Sequence, residues 1–164
     1  MPFQSTVRLN QTTGMVGDLA FDGAQRAEPN SILSADAANN VIGRAFTALV
    51  GIDGYVEAGG LGAFAGILVN PLVYALNGTG GNALAPTIVL PNEAMAEFLK
   101  MGTIVVELLN AGAIGDNVEF DQATGELYAI AGTTPTVGRT LVPNTKVVRQ
   151  NVPAAGLAFI QLTN

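Results

Sequence analysis

Turn signals interrupt this chain at short intervals, and that spacing constrains the fold more than anything else in the sequence. Twenty glycines and eight prolines are spread over 164 residues. The apolar runs left between them are too short for most helices and suit strands. Val41–Val50 is a first strand candidate, closed by the Ile52-Asp53-Gly54 turn. Tyr55–Ala58 and Phe64–Val69 follow, with a glycine-rich loop between them. Asn77–Asn82 reads as a flexible loop. Thr87–Leu90 is short and β-branched, and Ile104–Leu109 is a strongly apolar strand. Val118 and Phe120 alternate with Glu119 and Asp121, then Gln122–Gly125 turns the chain so that Leu127 and Ala129 share the inner face. Lys146–Arg149 and Leu157–Leu162 close the chain as two further strands. Many short strands at this spacing predict an all-β fold, a small β-sandwich or barrel of jelly-roll-like kind.

Residues 1–31 differ from the rest. Their apolar residues stand singly between polar residues and glycines, so they cannot build a core of their own. They read as an extended N-terminal arm, and residues 32–164 read as the β-rich body. Extended, residues 1–22 reach roughly 70 Å at about 3.3 Å per residue. Such an arm can add a strand edge-on to a neighbour, with Phe3, Val7 and Leu9 on one side and Arg8 on the other. The alternative is an arm that packs on its own body as a first strand. One further segment is ambiguous. Pro91–Met101 has a capping Asn92 and Glu93, Glu97 and Lys100 spaced for a helix face. It reads equally as a strand entering a hairpin turn at Met101-Gly102 and pairing with Thr103–Leu109, and the hairpin is preferred.

The residues that carry most enzyme chemistry are missing. The chain has no histidine and no cysteine. A general base of the usual kind, a Ser-His pair and a zinc cage are all excluded. The serines are Ser5, Ser31 and Ser34, none in a nucleophile-elbow pattern. Glu93/Glu97 and Glu119/Asp121 are the remaining carboxylate pairs, and both read as solvated faces. Gly60-Leu-Gly62-Ala-Phe-Ala-Gly66 is one residue too long for a dinucleotide loop and lacks the acidic residue downstream, so it reads as a tight turn. No enzyme, metal or cofactor is expected. Acids outnumber bases 13 to 7 and the seven bases are scattered, which argues against nucleic acid. No basic start precedes an apolar core, so no signal peptide is expected, and no apolar run is long enough for a membrane helix. Only 12% of residues are charged against 49% apolar, and the mean hydropathy is +0.39. A surface so poor in charge is expected to be covered by partners and to self-associate, as a trimer ahead of a dimer.

Several short segments, in order, match a family pattern. Pro2-Phe3-Gln4-Ser5-Thr6-Val7, then Gly14-Met15-Val16-Gly17-Asp18-Leu19-Ala20, then Arg26, resemble the opening of phage structural cement proteins. Ile42-Gly43-Arg44-Ala45-Phe46, Ala65-Gly66-Ile67-Leu68, Gly115-Asp116-Asn117-Val118 and the ending Ala154–Leu162 continue the likeness. The resemblance implies a virion protein on the exterior of an HK97-type capsid, partnered by the phage major capsid protein and by copies of itself, without catalysis. Together with the arm reading, it nominates Pro2, Phe3, Thr6, Val7, Arg8, Leu9, Gly17, Asp18 and Arg26 as contact residues. The competing readings are another virion part, such as a tail or head-fibre base, and a carbohydrate-binding adhesion module. The absence of Trp, with 6% aromatic residues, weighs against the sugar module.

Overall fold

A computed structural model describes residues 14–20, 23–70 and 89–163. Their elements are β1 (Leu19–Ala20), β2 (Arg26–Ile32), β3 (Ala45–Ala48), β4 (Tyr55–Ala58), β5 (Phe64–Leu68), β6 (Met95–Leu108), β7 (Asn117–Asp121), β8 (Leu127–Ile130), β9 (Arg139–Leu141), β10 (Thr145–Val148) and β11 (Gly156–Leu162). Among the described residues the sole helix is a single 3-10 turn, Ala37–Asn39. The protein is all-β, with a closed barrel at its centre.

That barrel closes through five strands. β2 pairs in parallel with β4, β4 with β3, β3 with β5, β5 with β6, and β6 returns to β2. Closure removes the unpaired edges that would otherwise recruit foreign strands. The remaining strands extend the second half of β6. β11 runs along one flank of it and carries β10; β1 and β8 lie on the opposite flank, since Ile104 pairs with both Ile160 and Leu19, and Leu108 with both Gly156 and Leu127. β7 forms a hairpin with β8 and carries β9 on its other side. Hydrogen bonds linking Val147 to Gly115 and Asp116 bring β10 back toward the start of β7.

β6 removes the helix reading of residues 91–101 and keeps the strand of the preferred one, but not its turn. It neither coils nor reverses: it runs through Met101-Gly102 as one strand of 14 residues. Met95 and Glu97 face out while Ala96 and Phe98 are buried, the two-residue period of a strand. Up to Met101 it pairs with β2; from Gly102 it pairs with β11. Gly102 has φ of 129°, a region barred to L side chains. Next to it, the β2–β6 ladder skips Lys100. The glycine read as a reversal therefore lets one strand leave the barrel and enter the second sheet.

Two cores result, and three strands serve both. Inside the barrel lie Ile32, Phe46, Val56, Leu68, Leu90 and Phe98, with the rings of Phe46 and Phe98 5.0 Å apart. The second core holds Ile104, Val106, Leu108, Val118, Phe120, Leu127 and Ile160, joined by Ala45, Ile67 and Leu99. β3, β5 and β6 thus place neighbouring residues on opposite faces, each face buried. This is why Phe64–Val69 reads as an unbroken apolar run.

Several strand candidates are trimmed by the fold. Of Val41–Val50 only Ala45–Ala48 forms a strand, while Val41 makes an isolated bridge to Val89. Residues 87 and 88 and the Asn77–Asn82 loop lie outside the described residues. The hairpin of β7 and β8 has the expected register, Val118 opposite Ala129 and Phe120 opposite Leu127. The division at residue 31 falls inside β2, which is an integral barrel strand.

Candidate interaction site

Pro2, Phe3, Thr6, Val7, Arg8 and Leu9 lie outside the described residues. The other nominated residues are split between two places. Gly17 donates its N–H to the Val105 carbonyl at 2.8 Å and accepts from the Asn70 N–H at 3.0 Å. The Asp18 carboxylate closes a tight turn, accepting from the Met15 N–H at 2.9 Å, and its other oxygen accepts from the Asn70 side-chain amide at 3.3 Å. The Asp18 carbonyl takes the Val105 N–H at 2.9 Å. Leu19 packs on the second core and Val16 on the barrel core. The Gly17-Asp18-Leu19 segment therefore fastens the chain to the middle of β6 and the end of β5. Arg26 sits elsewhere, exposed at the start of β2, 3.6 Å from Glu28. Glu28 also binds the Lys100 ammonium, and that bond, aided by Arg26, holds its carboxyl below the usual range.

The most elaborate polar cluster was not legible in the sequence. Glu119, expected on a solvated face beside Asp121, is 1% exposed. The chain after β8 folds back over it. Its carboxylate accepts the Thr136 N–H at 2.8 Å, the Thr136 hydroxyl at 2.9 Å and the Arg139 guanidinium at 2.8 Å. Arg139 in turn lies 3.4 Å over the Tyr128 ring, which is the residue opposite Glu119 across the hairpin. Burial opposes ionisation of Glu119, but the three hydrogen bonds and the charge of Arg139 outweigh it and hold the carboxyl below its ordinary value. Asp121 does something different: one oxygen accepts from the Ala123 and Thr124 N–H groups and shapes the hairpin turn. The signal that separates the two acids is Arg139, and its relevance appears only once β9 is paired with β7.

A second charged tie joins the two halves. Arg44, half-buried, donates to the Asn39 side chain, to the Thr124 carbonyl and to Glu126 at 2.9 Å. It locks the β7–β8 turn onto the barrel. Outside these clusters the surface is apolar in places. Val50, Ile52 and Leu61 are exposed on two loops joined by the bond from the Ala48 N–H to the Ala63 carbonyl, and Val137 is wholly exposed. Among the described residues no three carboxylates converge as a metal site would require.

The chain is similar to known proteins along its whole length. A family model described as "Structural cement protein (E217 gp24/Pam3 gp6)" matches residues 3–163. In fold, the chain is similar to one from "The capsid of Myoviridae Phage XM1", with a TM-score of 0.61, 17% identity, and coverage of 100% of this chain and 99% of that one. No curated protein sequence gives a significant match.

Proposed function

The chain belongs to the phage structural cement protein family, and on that premise we propose that it decorates the outside of an HK97-type capsid and cements neighbouring major capsid subunits against internal DNA pressure. The observation that carries this reading is the family match over residues 3–163. The fold supports it: an all-β body with two cores and few charges. The protein then works in the virion, on the capsid exterior, and is made in the host cytoplasm.

The mechanism is additive contact. Packaged DNA repels itself and strains the shell. A protein that bridges a seam must lose its own contacts before the seam opens, and binding only to the assembled shell stabilises that state by mass action. A standard protein contact buries roughly 1,600 Å², and repetition by symmetry links many such contacts. The N-terminal arm is the first grip. Gly17 and Asp18 fasten its root to β6, so residues 1–13 depart from a fixed point. Phe3, Val7 and Leu9 then fill pockets on a neighbour, Pro2, Thr6 and Arg8 face the opposite side, and Arg26 adds a contact on the body. Copies of the chain associate around a symmetry axis, as a trimer ahead of a dimer.

Shells assembled without this protein provide the test. Purified protein is titrated onto them, and retention and heat resistance are measured. Wild-type chain is expected to bind in numbers that scale with capsid subunits and to raise the temperature of DNA release. Deletion of residues 2–13 is expected to leave the body folded and weaken binding about tenfold or more, which is about 1.4 kcal/mol. Equal release temperatures with and without the protein would refute the cementing role. Binding in tail-ring numbers would move the protein to another part of the virion.

A further inference from the structure

Five aspartates lie among the described residues, and four of them have their carboxylates held by a backbone N–H. Asp18 accepts from Met15 at 2.9 Å, Asp36 from Ala38 at 3.0 Å, Asp116 from Ala113 at 2.8 Å and Asp121 from Ala123 at 2.8 Å. Asp53 is the exception: among the described residues nothing donates to its carboxylate. It stands in the turn between β3 and β4, where Val50 to Gly54 are all exposed. The residue that follows it differs too. Leu19, Ala37, Asn117 and Gln122 follow the four tied aspartates, whereas Gly54 follows Asp53. Gly54 has φ of 81° and nothing within 4 Å of its Cβ position. Its N–H has no backbone acceptor among the described residues. The turn is loosely held as well. The bonds from the Ile52 N–H to the Leu49 carbonyl and from the Ser31 N–H to the Gly54 carbonyl are both 3.4 Å long, beyond the usual range.

We infer that Asp53-Gly54 is a site of spontaneous isoaspartate formation, placed in the turn that leads into the strand closing the barrel. The step needs no enzyme and no oxidant. The Gly54 nitrogen attacks Cγ of the protonated Asp53 carboxyl group. The N–Cγ bond forms as the carboxyl hydroxyl and the amide proton leave together as water. The succinimide ring so formed then takes up water. Cleavage of the N–Cγ bond restores aspartate. Cleavage of the bond between the Gly54 nitrogen and the Asp53 carbonyl carbon leaves the chain running through Cγ, with the former carbonyl as a free carboxylate. Water lost is water regained, so the mass is unchanged while the backbone is longer by one carbon. The attack needs an untied carboxyl group, an untied N–H and an attacking residue with no Cβ to crowd it. Among the described residues Asp53-Gly54 alone combines them. The consequence falls on the barrel. The Gly54 carbonyl accepts from Ser31, and Tyr55 and Val56 beyond it form the parallel ladder with Ser31 and Ile32. An extra carbon just before Gly54 displaces the start of that ladder and loosens the barrel at its seam.

The test is ageing of full-length wild type and Asp53→Glu at mildly acidic pH, followed by proteolysis at glutamate. Cuts after Glu28 and Glu57 release residues 29–57, which carry Asp36 as an internal control and leave out Asp22-Gly23 and Asn77-Gly78. Wild type is expected to give a second 29–57 species of equal mass that accepts a methyl group from isoaspartyl methyltransferase. Fragmentation is expected to place the change at Asp53, converting at least about tenfold faster than Asp36. The isomerised chain is expected to melt about 2–4 °C below fresh protein. Asp53→Glu would have to close a larger ring, which is slower, and is expected to show neither change. If Asp53 in the folded chain converts no faster than Asp36 while a free peptide of residues 49–57 converts readily, the fold protects the turn and the inference is refuted. If the second species forms and melting stays within about 1 °C of fresh protein, the site stands and its effect on the barrel is refuted.

Discussion

Replacing Gly66 by alanine tests how closely β5 lies against β6. Gly66 has φ of 143°. A Cβ there would lie 2.8 Å from the Leu99 carbonyl oxygen, 2.8 Å from the Phe98 Cβ and 3.0 Å from the Phe98 carbonyl carbon. These are backbone and root atoms of β6, one of the three strands both cores share, so no flexible side chain can swing away. Holding an L residue in so sparse a region costs about 1–3 kcal/mol. Forcing extra volume into a packed interior costs about 1–3 kcal/mol more. The two penalties share one relaxation, so the expected loss is about 2–5 kcal/mol, or a melting point lower by about 5–15 °C for a domain of this size. Urea and thermal denaturation of Gly66→Ala against wild type measure it. Gly23→Ala is the control: nothing lies within 4 Å of its Cβ position, and it is expected to change stability by less than about 0.5 kcal/mol. A Gly66→Ala loss no larger than that of the control would refute this close approach.

Two further predictions concern the barrel core and the clamp. Phe98→Ala removes a fully buried ring 5.0 Å from Phe46 and is expected to cost about 3–5 kcal/mol, whereas Met95→Ala, on the exposed face of the same strand, is expected to cost little; equal urea midpoints for the two variants would contradict the assigned faces. Glu119 is held below its ordinary pKa by Thr136 and Arg139 despite its burial, so the folded state binds its proton less readily than the unfolded chain does. Its stabilisation is full above the ordinary glutamate value, about 4.3, and is lost as pH falls through the lower folded value. Stability measured against pH for wild type and Glu119→Gln is expected to differ near neutrality and to converge in acid; a constant gap across that range would rule out the charged clamp.

Much of the all-β character was open to reading because it is a local property. Val118 and Phe120 alternate with their neighbours, Gln122–Gly125 supplies the turn, and a strand's two-residue period assigns Leu127 and Ala129 to the same side. The ordered segments from Pro2 to Leu162 likewise pointed to the family without reference to coordinates. Residues 92–101 could not be resolved that way. Their charged residues suit a helix face and Gly102 suits a reversal; only pairing with β2 before Met101 and β11 after it makes them one strand.

Long-range pairing also decided what individual residues do. Gly17 and Asp18 stood out as a motif, but Val105 and Asn70, distant in sequence, make them a fastening. Closure of the barrel depends on the parallel pairing of β2 with β4, for which no turn or dipeptide provides a signal. Glu119 and Asp121 are equivalent in a local pattern of alternating acids. They part because Arg139, opposite Asp121 in the β7–β9 register, turns its guanidinium to Glu119, and the chain before it covers that carboxylate. Alternation and turn chemistry act over a few residues and can be read in order; burial of a charge depends on which distant segment closes over it, and that was settled only by the tertiary structure.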